Sequence, residues 1–354
     1  MPTIRRLLLT STLALLVACS DGGDNGGAEV RPALQLTFSD APIDLAGISA
    51  DFAADVVYGS KERNVFDVYL PDCDGPLPLV IYIHGGGFTG GDKSSVRDSL
   101  VREFLQSCVA HASINYTLLK VPDSDEDIAS AVSQGGVLTS LEDTARALQF
   151  MRYHFASLNI DPQNVALYGG SAGAGASLWL GTHDDMADPQ NADPVLREST
   201  RVKAVGLLAT QATYDLLRWE EVLLPVTQPL ANLLGGTDVP TLAAAVGATN
   251  YLLTFLGVDS LEAITSEENA AYRANIDMLG LMDAGDAPIY VQNYATGLDD
   301  PLNLFLHHGL HAIAVKNRAD EVGVASVAYS EDTAFPLTDP SGETLAPFLI
   351  RHIR

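Results

Sequence analysis

The chain has 354 residues, 47% of them hydrophobic and 18% charged, which gives ample apolar content for a buried core and excludes a largely disordered, collagenous or coiled-coil chain. Acidic residues outnumber basic ones 45 to 20, and the formal net charge of −25 argues against nucleic-acid binding, because such a surface repels phosphates. Basic side chains nowhere form a run that could grip an anionic lipid surface, and three cysteines are too few for a disulfide-dense scaffold.

The N-terminus reads as an address. Arg5 and Arg6 precede a mostly apolar run over residues 7–18, which is too short to span a bilayer as a helix of about 20 residues. The run ends Leu16-Val17-Ala18-Cys19, which resembles a bacterial lipobox. The resemblance implies a signal peptide over residues 1–18 and a lipid on Cys19; an ordinary secretory signal that happens to contain a Cys is the alternative. Ser20 directly after it resembles outer-membrane lipoproteins, which implies export and a membrane contact through that lipid alone, facing the periplasm or the cell surface. Residues 20–27, Ser-Asp-Gly-Gly-Asp-Asn-Gly-Gly, make a flexible polar tether. Residues 19–50 are then tether and lead-in, and 51–354 the folded domain. With Cys19 lipidated, Cys73 and Cys108 remain as an even pair, either a disulfide or two buried thiols.

From residue 56 onward strand and helix patterns alternate. Residues 56–58 and 65–70 flank a polar turn and predict an opening hairpin. Residues 79–83 (LVIYI) read as a strand buried on both faces. A helix is expected over 98–107 and a strand over 109–116. Leu141, Ala145, Leu148, Met151 and Phe155 recur at helical steps along one face. Asp161-Pro162 is read as the end of that connection, before a strand at 165–168. Residues 202–208, 289–291 and 325–328 supply further strands. Alternation of this kind predicts an α/β fold with a mostly parallel central sheet flanked by helices. Between about 216 and 282 the patterns are helical only, which predicts a small cap over the carboxyl end of the sheet.

Two Gly-rich turns carry the chemistry. The first, His84-Gly85-Gly86-Gly87-Phe88, follows the strand ending at Ile83. Without Cβ atoms, Gly86 and Gly87 can bring their N–H groups to a carbonyl oxygen. The second, Gly169-Gly170-Ser171-Ala172-Gly173, sits between a strand and a helix. A G-x-S-x-G turn exposes the Ser hydroxyl and aims the following N–H, here of Ala172, at a developing oxyanion.

These motifs, with ADVVYGSKERNVFDVYLP, LPLVIYIHGGGFTGGDKS, ASINYTLL and SLEDTARALQFMRYHFASLNIDPQNVALYGGSAGA, resemble the α/β-hydrolase superfamily, in particular carboxylesterases of the hormone-sensitive-lipase and feruloyl-esterase-like type. The resemblance runs from about Asp55 to Leu208. It implies an α/β-hydrolase fold hydrolysing a small-molecule ester, with no cofactor. Carried over by position, Ser171 is the nucleophile and Gly86, Gly87 and Ala172 form the oxyanion hole. His84 shapes the turn, and Asp143 and Asp161 are structural.

The C-terminal third departs from that pattern. The family's base is a His in the loop after the last strand, where this chain has Tyr329-Ser330-Glu331-Asp332-Thr333-Ala334-Phe335-Pro336 and no His before His352. The substitute base is left open between His307 and His308, on the helix expected after the penultimate strand, and the acid between Asp299 and Asp300. His307 and His311 have the i,i+4 spacing of a zinc pair, but H-H-G-L-H lacks the Glu of a metalloprotease motif, so no metal site is assigned. His111, His154 and His183 read as packed or solvated. Two functions fit: a lipid-anchored serine esterase that prefers neutral, fairly apolar esters and uses a relocated base, or a non-catalytic binding protein on the same fold.

Overall fold

The computed structural model describes residues 31–124, 127–223, 225, 238–294 and 301–354; the expected signal, Cys19 and the expected tether lie outside them. Among the described residues nine strands form one sheet in the order β1-β2-β3-β5-β4-β6-β7-β8-β9. The strands β1 (Phe38–Ser39), β2 (Ala50–Val57) and β3 (Val65–Pro71) run antiparallel, and β3 pairs antiparallel with β5 (Ala110–Ile114). From β5 through β4 (Leu77–Ile83), β6 (Ile160–Gly170), β7 (Val205–Leu208), β8 (Ile289–Asn293) and β9 (Ser326–Ser330), every pairing is parallel. Parallel neighbours need crossovers, which the helices supply, and so the carboxyl ends of β4, β6, β8 and β9 all lie at one sheet edge.

Side chains of a strand alternate between faces, and β4 shows how both become buried. Leu79, Ile81 and Ile83 join the larger core with Leu148 and Met151 of the Leu138–Tyr153 helix and Leu178 and Trp179 of the Ala172–Thr182 helix. Val80 points the other way, into a cluster with Phe104 of the Asp98–Gln106 helix and Phe348 and Leu349 of the Leu345–Ile353 helix. Each fully buried Leu or Phe contributes about 1.5–3 kcal/mol, so burial on both faces is the main force holding this sheet.

Cys73 precedes β4 and Cys108 precedes β5. Because the two strands are parallel neighbours, both cysteines fall at the same sheet end, and they form a disulfide with Cα atoms 5.9 Å apart. It ties residues 35 apart in sequence, and a loop of that length limits the unfolded chain by roughly 3–4 kcal/mol in the chain-entropy account.

Three expectations need correction. The edge strand β1 and the first half of β2 are missing from the sequence reading, because β1 is two residues long and both are exposed. Asp161 and Pro162 lie inside β6 rather than ending the connection. The register with β4 shifts there, a bulge where a Pro without an N–H is tolerated, and Asp161 accepts from Gln163 N instead. The histidine-bearing helix is two helices, Pro301–His307 and Gly309–Val322, broken at His308, whose backbone is extended at φ −56°, ψ 148°.

Between β7 and β8 the regular elements among the described residues are all helices, as the pattern predicts. They include the helices Val239–Ala245, Thr249–Leu256, Leu261–Ile264, Glu267–Asn275 and Met278–Leu281. Their starts are set by local chemistry: Asp238, Ser260 and Ser266 each accept from the backbone N–H three residues on. The Thr249–Leu256 helix buries Leu252, Leu253, Phe255 and Leu256 in the main core and presents Tyr251 toward the loop after β4.

Candidate active site

The loop after β4 is held from several sides. The ring of His84 is fully buried and stacks on Tyr116 at 4.3 Å, while Tyr116 Oη donates to His84 O at 2.8 Å. Its Nε2 faces Arg63 Nη2 at 3.3 Å, and Nδ1 faces Gly85 O at 2.7 Å. A guanidinium can only donate, so Nε2 accepts and Nδ1 carries the proton. Burial pushes the His84 pKa below its ordinary value, which agrees with that neutral ring. Beyond it, Gly86 and Gly87 adopt φ of 112° and 59°, a region that favours residues without a Cβ. Phe88 is fully buried against Tyr116, Tyr214 and Phe255, and Tyr251 Oη donates to Gly87 O at 2.9 Å. The loop is thus anchored below by Phe88 and above by Tyr251.

At the end of β6 the chain turns sharply into the Ala172–Thr182 helix. Ser171 sits at φ 52°, ψ −121°, a conformation non-glycine residues rarely adopt and one that costs about 1–3 kcal/mol. The surroundings enforce it. Ser171 N donates to Leu208 O at 2.9 Å, Gly175 N donates to Ser171 O at 3.1 Å, and Tyr214 Oη donates to Ala172 O at 2.7 Å. A Cβ on Gly169 would meet Gly173 C at 2.3 Å, and one on Gly173 would meet Ile83 O at 1.9 Å. The turn therefore packs directly on the end of β4 and tolerates no side chain at either flank. Among the described residues, the amides of Gly86, Gly87 and Ala172 donate to no protein acceptor.

His307 completes the cluster. It is the last residue of the helix that follows β8, and its Nε2 lies 2.8 Å from Ser171 Oγ. Its Nδ1 lies 2.7 Å from Asn303 Oδ1, one helical turn earlier. An amide oxygen only accepts, so Nδ1 carries the proton and Nε2 is the acceptor facing the Ser171 hydroxyl. Of the two histidines left open by the sequence, the structure brings His307 to Ser171 and turns His308 elsewhere: His308 Nδ1 accepts from Leu310 N at 3.0 Å, and its Nε2 lies 3.0 Å from Asp332 Oδ2. Asp299 and Asp300 lie outside the described residues.

The remaining histidines have packing roles. His311 is fully buried, not solvated, with Nδ1 accepting from Ala212 N and Nε2 donating to Phe305 O. Burial pushes its pKa down to about 4. Both its ring nitrogens are occupied, and among the described residues no cluster of His, Cys, Asp and Glu could hold a metal ion. His111 is buried with Nε2 on Tyr168 Oη at 2.9 Å, and burial lowers its pKa to about 3. His352 packs on Phe348 in the C-terminal helix. Asp143 is structural, accepting from Lys61 Nζ and from Thr117 N and Oγ1.

Asn303, at 2.7 Å from His307, is the site residue that sequence reasoning missed. Asn303 has a signal, its i,i+4 spacing to His307, but an amide is not the acid being sought. Asp332, in the loop after the last strand where the family pattern has its His, faces His308.

Comparison with known proteins follows this division of the chain. A protein of Arabidopsis thaliana named probable isoprenylcysteine alpha-carbonyl methylesterase ICMEL1 is 26% identical over 150 residues, 42% of this chain and 29% of that protein. One of Mycobacterium tuberculosis named probable carboxylic ester hydrolase LipM is 27% identical over 195 residues, 53% of this chain and 41% of its own. The chain thus matches well under two thirds of the length of these relatives. A solved carbohydrate esterase from gut microbiota superposes with a TM-score of 0.55 at 16% identity, covering 83% of this chain and 90% of that one. That likeness speaks for the fold, which is the α/β-hydrolase fold. The BD-FAE family model matches residues 66–254, taking in both Gly-rich turns, Ser171 and Tyr251 and stopping short of His307. Since that match covers more than half of the sequence, the chain belongs to the BD-FAE family.

Proposed function

We propose that the protein is a serine carboxylic-ester hydrolase in which Ser171 attacks the ester carbonyl and His307 is the general base. The observation that carries this reading is the 2.8 Å contact between Ser171 Oγ and His307 Nε2, with Nδ1 fixed by Asn303. His307 takes the hydroxyl proton as Oγ bonds to the carbonyl carbon. The carbonyl oxygen becomes an oxyanion facing the amides of Gly86, Gly87 and Ala172, each such donor being worth roughly 2.7–4 kcal/mol in the transition state. As the intermediate collapses, the carbon–alkoxy bond breaks, His307 gives its proton to the departing oxygen, and the alcohol leaves while the acyl group stays on Ser171 Oγ. Water, deprotonated by the same nitrogen, hydrolyses that acyl group and restores the serine. The names of the two relatives, a methylesterase and a carboxylic ester hydrolase, support the same reaction class. The rival reading, a binding protein that has lost turnover, rested on the absence of a His in the last loop. A His that reaches Ser171 from the end of the helix after β8 supports turnover instead.

The helical segment between β7 and β8 acts as an apolar cap, with Tyr251 beside the oxyanion loop and the Val222 region at its start. With a net charge of −25, the chain disfavours anionic substrates. Neutral short- or medium-chain acyl esters are therefore expected to be cleaved faster than analogues carrying a carboxylate in the acyl chain. Comparing kcat/KM for the two at low ionic strength checks this, and faster cleavage of the anionic ester would contradict it.

Export with a lipid on Cys19 belongs to the same proposal and is supported by the Leu16-Val17-Ala18-Cys19 sequence. Cys19→Ala is expected to block processing or to move the protein from the membrane fraction to the soluble one. Sequencing of the mature N-terminus provides the check: a start at any residue other than Cys19 would refute the anchor.

A further inference from the structure

Next to the proposed base stands a buried histidine–carboxylate hydrogen bond that the reaction does not use. His308 and Asp332 are 3% and 6% exposed, and His308 Nε2 lies 3.0 Å from Asp332 Oδ2. The pair bridges two elements, since His308 joins the Pro301–His307 and Gly309–Val322 helices while Asp332 follows β9. We propose that His308 and Asp332 are positioning residues that fix the chain break after His307 and thereby hold the His307 ring at Ser171. The inference rests on the assignment of His307 as base.

The geometry leaves this segment little freedom. His308 Nδ1 accepts from Leu310 N and caps the second helix, so the ring proton must sit on Nε2 and be donated to Asp332. The other carboxylate oxygen of Asp332 accepts from Ala334 N at 2.7 Å and Phe335 N at 3.3 Å, and the Phe335 ring packs edge-on against His308 at 5.5 Å. Asn293 at the end of β8 donates through Nδ2 to the carbonyls of both His307 and His308, at 3.2 and 3.0 Å. Gly309 closes the arrangement, because a Cβ there would meet Ser330 Oγ at 2.0 Å and Asp332 Cβ at 3.1 Å. The backbone of 307–309 is thus clamped between the ends of β8 and β9. A carboxylate is needed at 332 because both of its oxygens accept. An Asn accepts on one side only, and His308 cannot change tautomer while Leu310 N occupies Nδ1.

The test uses the whole protein with Asp332→Asn, His308→Asn and the double variant. Asp332→Asn preserves shape but sets donor against donor. His308→Asn keeps an oxygen for Leu310 N but cannot reach Asp332. Each is expected to lower kcat by about 10- to 100-fold, the scale of a displacement of about 1 Å in a reacting group. KM is expected to stay within about twofold, and labelling of Ser171 by a fluorophosphonate to slow in step with kcat. The double variant is expected to be no more than about twofold worse than either single, because both remove one clamp. A folded variant with kcat within about twofold of wild type, or one that changes KM alone, would overturn the role; so would failure of both single variants to fold, which would make the pair one of general stability. His307→Ala in the same series separates the two claims. Loss of activity there beside an intact Asp332→Asn rejects only the positioning pair, whereas retained activity in His307→Ala rejects the base assignment itself.

Discussion

Ser171→Ala and His307→Ala are each expected to lower kcat/KM toward a neutral acyl ester by roughly 10⁴–10⁶-fold, with the double variant hardly worse than either single. Nucleophile and base act as one unit: without Nε2 at 2.8 Å the Ser171 hydroxyl is a weak nucleophile, and without Oγ the ring has nothing to activate. Residual turnover of roughly 10³–10⁴ over water is expected to survive in both, because the amides of Gly86, Gly87 and Ala172 are untouched. Steady-state kinetics on the three variants checks the claim. Additive losses, or a tolerant His307, would show that some other group activates Ser171.

Gly173→Ala is expected to cost stability and activity together, while Gly170→Ala, two residues before Ala172, is expected to cost little of either. A methyl group at 173 would lie 1.9 Å from Ile83 O and 2.7 Å from His84 O, whereas one at 170 meets nothing within 4 Å. Relief of the first overlap must push the Ala172–Thr182 helix away from β4. That movement separates Ser171 and Ala172 N from the His84–Phe88 loop on which the oxyanion reading depends. Overpacking of this kind costs about 1–3 kcal/mol or more, and here the strained Ser171 conformation is lost with it. Thermal unfolding and ester hydrolysis on the two variants decide the matter, and equal tolerance of both would mean that the turn does not pack on β4 as described.

How much of this was legible beforehand follows from where the determinants lie. The turns at 84–88 and 169–173 are local: glycines needed for positive φ or close approach stand beside the residues they serve, and the flanking strands announce themselves by buried β-branched and aromatic runs. The even pair Cys73 and Cys108 is legible as a count, and the parallel pairing of β4 and β5 is what brings the two together. The base was harder. His307 and His308 are adjacent, and a continuous helix gives no ground for preferring either. The distinction comes from the extended backbone of His308, which ends one helix, caps the next and turns its ring to Asp332. That break meets Asn293 at the end of β8 and Asp332 in the loop after β9, so nothing in the 301–311 segment signals it. Asn303 was visible as a neighbour by helical spacing, yet a search for a carboxylate passes over an amide. The burial of His311 likewise arises from contacts with Ala212 and Trp219, more than 90 residues away in sequence.

Mapping the adduct of a fluorophosphonate tests the central claim most directly, since the phosphorus bonds only to an activated oxygen and the modified residue can be read by peptide mass spectrometry. The expected result is a single adduct on Ser171, formed at least about 100-fold more slowly in His307→Ala, in line with the contribution of a general base. An adduct on another residue, or labelling of Ser171 at an unchanged rate without His307, would contradict the account.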